Sequence, residues 1–129
     1  MLKETRTYTD YNGKERTEDF YFNLSKAELA EKHLSTDKGL AELLQDIIDS
    51  DDHKLIVETF KEIILKAYGE KSEDGRRFIK SEELSKAFSE TPVYDELFME
   101  LSTDSDKAAK FIHGILPADW QNQIDKKDA

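Results

Sequence analysis

The spacing of apolar positions divides the chain into one stretch of strand pattern followed by several of helical pattern. From Lys3 to Asn23 the residues are rich in Thr, Tyr and Phe, whose branched or planar side chains suit a pleated surface. Asn12-Gly13 lies in the middle of this stretch and fits the positive φ angles of a tight type I′ turn, which predicts one β-hairpin. Pairing outward from a two-residue turn puts Phe20 and Phe22 on one face and Tyr8 and Tyr21 on the other. Two strands alone are marginal in water, so the Phe20 and Phe22 face is expected to pack on helices.

The pattern then changes to steps of three and four. Ser25-Lys26-Ala27-Glu28 is a capping box, with Leu24 and Leu29 in the staple positions beside it, and it predicts a helix start. After a break at Ser35-Thr36-Asp37, Leu40, Leu43, Leu44, Ile47 and Ile48 share one helical face, opposite Glu42, Gln45, Asp46 and Asp49. Ser50-Asp51-Asp52 can cap a central helix that buries Leu55, Ile56, Phe60, Ile63, Ile64 and Ala67. Gly69 is expected to close that helix as its left-handed residue. A charged turn from Glu70 to Arg77 follows and leads into Phe78-Ile79.

Three further starts complete the pattern. Ser81 before Glu82-Glu83 caps a short helix with Leu84, Ala87 and Phe88 inward. Thr91-Pro92 restarts the chain, since proline lacks an amide hydrogen that has no partner at a first helical position. The next stripe is Tyr94, Leu97, Phe98 and Leu101, with Met99 off it. Thr103 or Asp104 begins a last helix carrying Ala108, Phe111, Ile112 and Ile115, ended by Leu116-Pro117. The fold class expected is α+β, mainly helical: an N-terminal β-hairpin packed on about five or six short helices. One domain is expected over residues 1–120, with a flexible polar tail over 121–129.

Composition narrows what such a domain can do. The 129 residues suit one domain. With 19 Lys plus Arg against 29 Asp plus Glu, the net charge of -10 repels nucleic acid and anionic membranes, so neither is expected as a partner. Cysteine is absent, which removes disulfides, thiolate metal sites and thiol catalysis. The N-terminal residues Met1 to Arg6 lack the apolar core of a signal peptide, and no stretch reaches the ~20 apolar residues of a membrane span. A cytoplasmic protein is expected.

Candidate chemistry is sparse. Glu70-x-Ser72-x-Asp74-Gly75 imitates the first half of a calcium-binding EF-hand loop, but Arg77 stands where an aliphatic residue belongs and Ser81 where a bidentate Glu belongs. A solvated turn explains it better. His33, His53 and His113 have no paired metal-ligand spacing. No nucleophile elbow, phosphate loop or dinucleotide-binding turn is present, so no enzyme activity, cofactor or metal is expected.

The string YGEKSEDGRRFIKS from Tyr68 to Ser81 and the string YDELFMEL from Tyr94 to Leu101 resemble tail assembly chaperones of long-tailed phages of Gram-positive hosts. Tyr11-Asn12-Gly13, Phe20 to Leu24 and Phe111 to Pro117 are similar too. The likeness runs from about Tyr8 to Pro117, leaving out the segment Glu31 to Lys38 and the tail after Trp120. It implies a non-catalytic protein that binds the tape measure protein, keeps it soluble and helps tail tube protein assemble around it in the host cytoplasm, then leaves before the virion is mature. It also implies that such chains are often made in two lengths by frameshifting, of which this would be the shorter.

The resemblance brings no list of contact residues, so the site is nominated from side-chain chemistry. Phe78 and Ile79, with Tyr94, Phe98 and Met99, are expected to line one partner-binding surface, Met99 as its exposed, adaptable contact. Several short amphipathic helices also leave room for a homo-oligomer. An alternative from a different class is an acidic phage inhibitor that binds a basic host protein, although the interspersed Lys and Arg weaken its imitation of DNA charge. A calcium-responsive module is a third.

Overall fold

The computed structural model describes residues 1–31, 49 and 52–117. The expected helix of Leu40 to Ile48, the break at Ser35 to Asp37, the Leu29 side chain, His33 and the tail 121–129 lie outside what is described.

The hairpin is present, with a different turn. Strands β1 (Leu2–Thr9) and β2 (Glu15–Phe22) pair antiparallel, with Leu2 opposite Phe22 and Thr9 opposite Glu15. The ladder closes through Asp10 N–H to the Lys14 carbonyl at 2.8 Å, and the Gly13 amide donates to the Asp10 carbonyl at 2.9 Å. Tyr11, Asn12 and Gly13 therefore form a three-residue loop, with Gly13 at φ 82. The Asp10 carboxylate accepts from the amides of Asn12 and Lys14, both at 2.9 Å, and from Arg16 Nε at 2.6 Å, which selects this loop over the two-residue turn. One extra loop residue slips the register by one and moves a strand's side chains to the opposite face. Tyr8 consequently joins Phe20 on the packed face, ring centroids 6.3 Å apart, instead of lying opposite it.

The sheet has two further strands. β3 (Tyr68–Lys71) pairs with β2 through only Tyr21 with Gly69 and Phe22 with Tyr68. β4 (Phe78–Ile79) pairs with β3 through Glu70 with Ile79 and Lys71 with Phe78. The order is β1-β2-β3-β4, antiparallel throughout. The charged turn is the tip of this second hairpin: Ser72 Oγ donates to Asp74 Oδ1 at 2.7 Å and accepts from the Arg77 amide at 3.0 Å, and Gly75 has φ 76. A calcium loop of the EF-hand kind joins two helices. This loop joins two strands, and its one inner carboxylate is held by Ser72 and the Arg76 amide at 3.1 Å.

Five helices follow from local caps among the described residues: α1 (Lys26–Glu31), α2 (His53–Ala67), α3 (Glu82–Ser89), α4 (Pro92–Thr103) and α5 (Ser105–Ile115). The capping box forms in both directions, Ser25 N–H to Glu28 Oε1 at 3.1 Å and Glu28 N–H to Ser25 Oγ at 3.2 Å. Asp52, Ser81, Thr91 and Asp104 each accept an amide of their own first turn. The fold class is α+β, mainly helical, with the hairpin against helices.

The end of the central helix departs from expectation. α2 stops at Ala67, Tyr68 is already extended at φ -66 and ψ 140, and Gly69 lies within β3 with no left-handed angle. Pairing with β2 captures the chain as it leaves the helix, so no left-handed cap is needed. Gly69 serves another purpose: a Cβ there would stand 2.8 Å from the Ile79 carbonyl oxygen and 2.8 Å from a Phe78 ring carbon.

The core lies between the sheet and α2, α4 and α5, built from Phe22, Leu24, Phe60, Ile64, Phe88, Leu97, Phe111 and Ile115. Val93 and Leu116 are buried as well, although neither belongs to the expected stripes. Leu55 and Ala87, expected inward, are exposed, since each sits at the margin of its apolar arc. Backbone bonds lock the exit of β2 to distant elements, Asn23 N–H to Ala67 O and Leu24 N–H to Ile115 O, both at 2.8 Å.

Candidate partner-binding surface

α4 presents three of the nominated residues. Val93, Leu97 and Leu101 recur every four residues and are buried, which turns Tyr94 and Phe98 to the margin of the core, half-buried, and Met99 outward at 52% exposure. The Tyr94 and Phe98 rings are 6.0 Å apart. Tyr94 meets Phe88 edge-on at 5.9 Å, and Phe88 stacks flat on Tyr68 at 4.1 Å. An unbroken file of rings thus runs from the sheet to the surface of α4, and it fixes Tyr94 and Phe98 in place. Burial, then the charge of Asp95, raises the Tyr94 pKa above its ordinary value, so its hydroxyl is neutral at physiological pH.

The other two nominated residues sit elsewhere. Tyr68 and Glu70 share the helix-facing side of β3, so Ile79, paired with Glu70, faces that side. Phe78 is paired with Lys71 and lies over Gly69 on the opposite side of the sheet, with Lys80 Nζ 5.7 Å from its ring centre. The structure therefore gathers Tyr94, Phe98 and Met99 on one helix and places Phe78 across the sheet from them. Strand register decides this division, and register depends on pairing partners far away in sequence.

Beside Met99, a cross-link ties α4 to the first strand. Arg6 Nη2 donates to Glu100 Oε2 at 2.8 Å, and Glu4 lies 3.8 Å from the same nitrogen. Burial opposes the Arg6 charge, yet Glu100 and its acidic neighbours hold the guanidinium pKa above its ordinary value. The Arg6 hydrogen bond in turn holds Glu100 below the usual carboxylate range. A cleft of about 250 Å³ opens next to this pair, with Leu2, Leu97 and Phe111 among its walls.

A second ion pair ties α1 to the segment just ahead of α3. Lys80 Nζ donates to Glu28 Oε2 and to the Asn23 carbonyl, each at 2.6 Å. The pair is asymmetric. Glu28 keeps a lowered pKa against its burial because Lys80 and Ser25 donate to it, whereas burial lowers Lys80 and the charge of Lys66 lowers it further. Lys80 opens onto a groove between α2 and α3 where Lys61, Lys66 and Lys86 also gather. Sequence reasoning passed over these lysines, since they come from two helices and the link ahead of the second and share no motif.

Among the described residues no three His, Asp or Glu side chains gather closely enough to hold a metal ion. None of the described helices is long and apolar enough to cross a membrane. What the surface offers is side-chain contact: an exposed Met beside anchored rings, ringed by charge. Comparison with curated proteins and with solved structures finds no match. The family model described as phage tail assembly chaperone matches residues 1–129, the whole length of the sequence, and the chain belongs to that family.

Proposed function

We propose that this chain binds the tape measure protein of its phage in the cytoplasm of the bacterial host, keeps it soluble, assists tail tube assembly around it and performs no catalysis. The single observation that carries the proposal is the family match over residues 1–129. Surface physics supports it. A long protein made before its tube exists exposes apolar helix faces, and a small domain of net charge -10 can cover such faces while repelling its own kind from aggregation. The α4 surface of Tyr94, Phe98 and Met99 is the proposed contact, since the unbranched thioether of Met99 adapts to varied apolar partners. Phe78 contributes from the far side of the sheet as a separate patch, and Ile79 from the helix-facing side. Several copies acting along one partner would associate as a homo-oligomer.

Co-expression with the tape measure protein encoded beside it tests the proposal. Soluble tape measure that co-purifies with this chain supports it, and the mass ratio then counts copies per partner. Tape measure that precipitates while this chain stays folded overturns it.

A further inference from the structure

In a chain with ten more acidic than basic charges, one surface is basic. The groove between α2 and α3, about 630 Å³ in volume, is lined by Lys61 and Lys66 from α2, Lys86 from α3 and Lys80 just ahead of α3. Among the described residues, its lining includes two acids, Glu28 and Glu82. Glu28 is already engaged by Lys80 and by the Ser25 amide. Among the described residues, Lys61, Lys66 and Lys86 have no ion-pair partner. The Lys66 charge is felt at Lys80, whose ammonium it helps to destabilise, so the positive potentials overlap instead of being dispersed. Leu65 forms part of the floor, and its carbonyl accepts the Ser85 hydroxyl at 2.9 Å, which holds the two helices at a fixed spacing.

We propose that this groove docks an acidic helical segment of a protein partner, with carboxylates one turn apart set against the lysines and an apolar side chain on Leu65 and the lysine stems. Charge selects the occupant. A nucleic acid carries its charge far beyond the groove and meets the repulsion of the whole chain, whereas a short acidic segment lies within about one Debye length, ~8 Å, of the lysines. Shape fits as well: the eight residues of α3 span about 12 Å, two turns of a docked helix, and carboxylates four residues apart stand roughly 6 Å from each other along it. This contact shares no residue with the α4 surface. It rests on the function proposed above only for the identity of the chain that supplies the segment.

The test uses a fluorescein-labelled helical peptide of about 18 residues, with Glu at four-residue spacing beside a Leu stripe, and a twin with Lys for each Glu. Binding to the full chain is followed by anisotropy. The acidic peptide should bind, its Lys twin should not, and raising salt from about 50 to about 500 mM should weaken binding roughly tenfold. The variant K61E/K66E/K86E should bind the acidic peptide at least about tenfold more weakly, and K61Q/K66Q/K86Q by an intermediate amount, with unchanged circular dichroism. Equal binding by wild type and variants, no binding of the acidic peptide, or tighter binding of a short DNA duplex would each overturn the inference. So would self-association of the chain that the triple variant abolishes, since a second copy would then be the occupant. Tape measure that co-purifies while the acidic peptide fails removes the groove and leaves the proposed function; the reverse result removes the function and leaves the groove.

Discussion

Replacing Gly69 with alanine isolates one close approach in the fold. A methyl group there would meet the Ile79 carbonyl oxygen and the Phe78 ring, each at 2.8 Å, where ordinary contact begins near 3.4 Å. The backbone angle at Gly69 is not left-handed, so alanine suffers no conformational strain and gains about 0.4–1 kcal/mol from a stiffer unfolded chain. Overpacking costs about 1–3 kcal/mol, because the ring can tilt but the carbonyl belongs to the β4 backbone. The net expectation is a loss of roughly 1–2 kcal/mol. For a chain of this size that lowers the melting temperature by about 3–10 °C, and the urea midpoint falls with little change in slope. Shortening the ring in a Phe78→Leu background should recover part of the loss, giving a coupling energy of at least about 0.5 kcal/mol in a double-mutant cycle. Gly69→Ala at wild-type stability refutes the close-approach argument, and an identical cost in both backgrounds refutes the part of it that rests on the Phe78 ring.

Met99→Asp should leave the melting temperature close to wild type, the change staying within about 0.5 kcal/mol at an exposed site, while abolishing co-purification of tape measure; retained co-purification rejects the α4 surface. Glu28→Gln removes a charged acceptor from both Lys80 and the helix cap, and should cost about 1–2 kcal/mol in urea unfolding. Glu28 and Glu100 both have lowered pKa values in the folded state, so the unfolded chain takes up protons more readily. Stability from these groups is complete above the ordinary glutamate value, about 4.3, and should drain away as pH falls through it toward the folded-state values. Urea midpoints measured from about pH 6 downward should show this decline, and it should be shallower in a Glu28→Gln, Glu100→Gln variant.

The starts of helices were legible because a cap is a local event. Ser25, Asp52, Ser81, Thr91 and Asp104 each bind amides within three residues, and nothing distant is required. Strand register was not legible in the same way. Asn12-Gly13 fits a two-residue turn on its own, and only the three-way capture of amides and Arg16 by Asp10 tips the loop to three residues, bringing Tyr8 to the packed face. Gly69 was misread for a related reason: a glycine after a helix looks like a cap until the strand that receives it is known. At the candidate surface, the α4 residues could be grouped by helical spacing, and Met99 was correctly set apart as exposed. The side of the sheet taken by Phe78 depended on pairing with Lys71, and the lysine groove on the docking of α3 against α2, neither of which leaves a periodic trace.

The ion pair between Arg6 and Glu100 joins residues 94 positions apart, and Leu24 waits on Ile115 for its backbone partner. During synthesis the hairpin therefore leaves the ribosome first and meets α5 last of its partners among the described helices. At about 5–20 residues per second, α5 is complete roughly 5–20 seconds after β2. A chain cut before α5 would lack the Phe111 ring against Phe22 and the Ile115 carbonyl that receives the Leu24 amide, while Tyr68 and Phe88 still lie against Phe22. The cover over Phe22 and Leu24 is therefore complete only once α5 has been made.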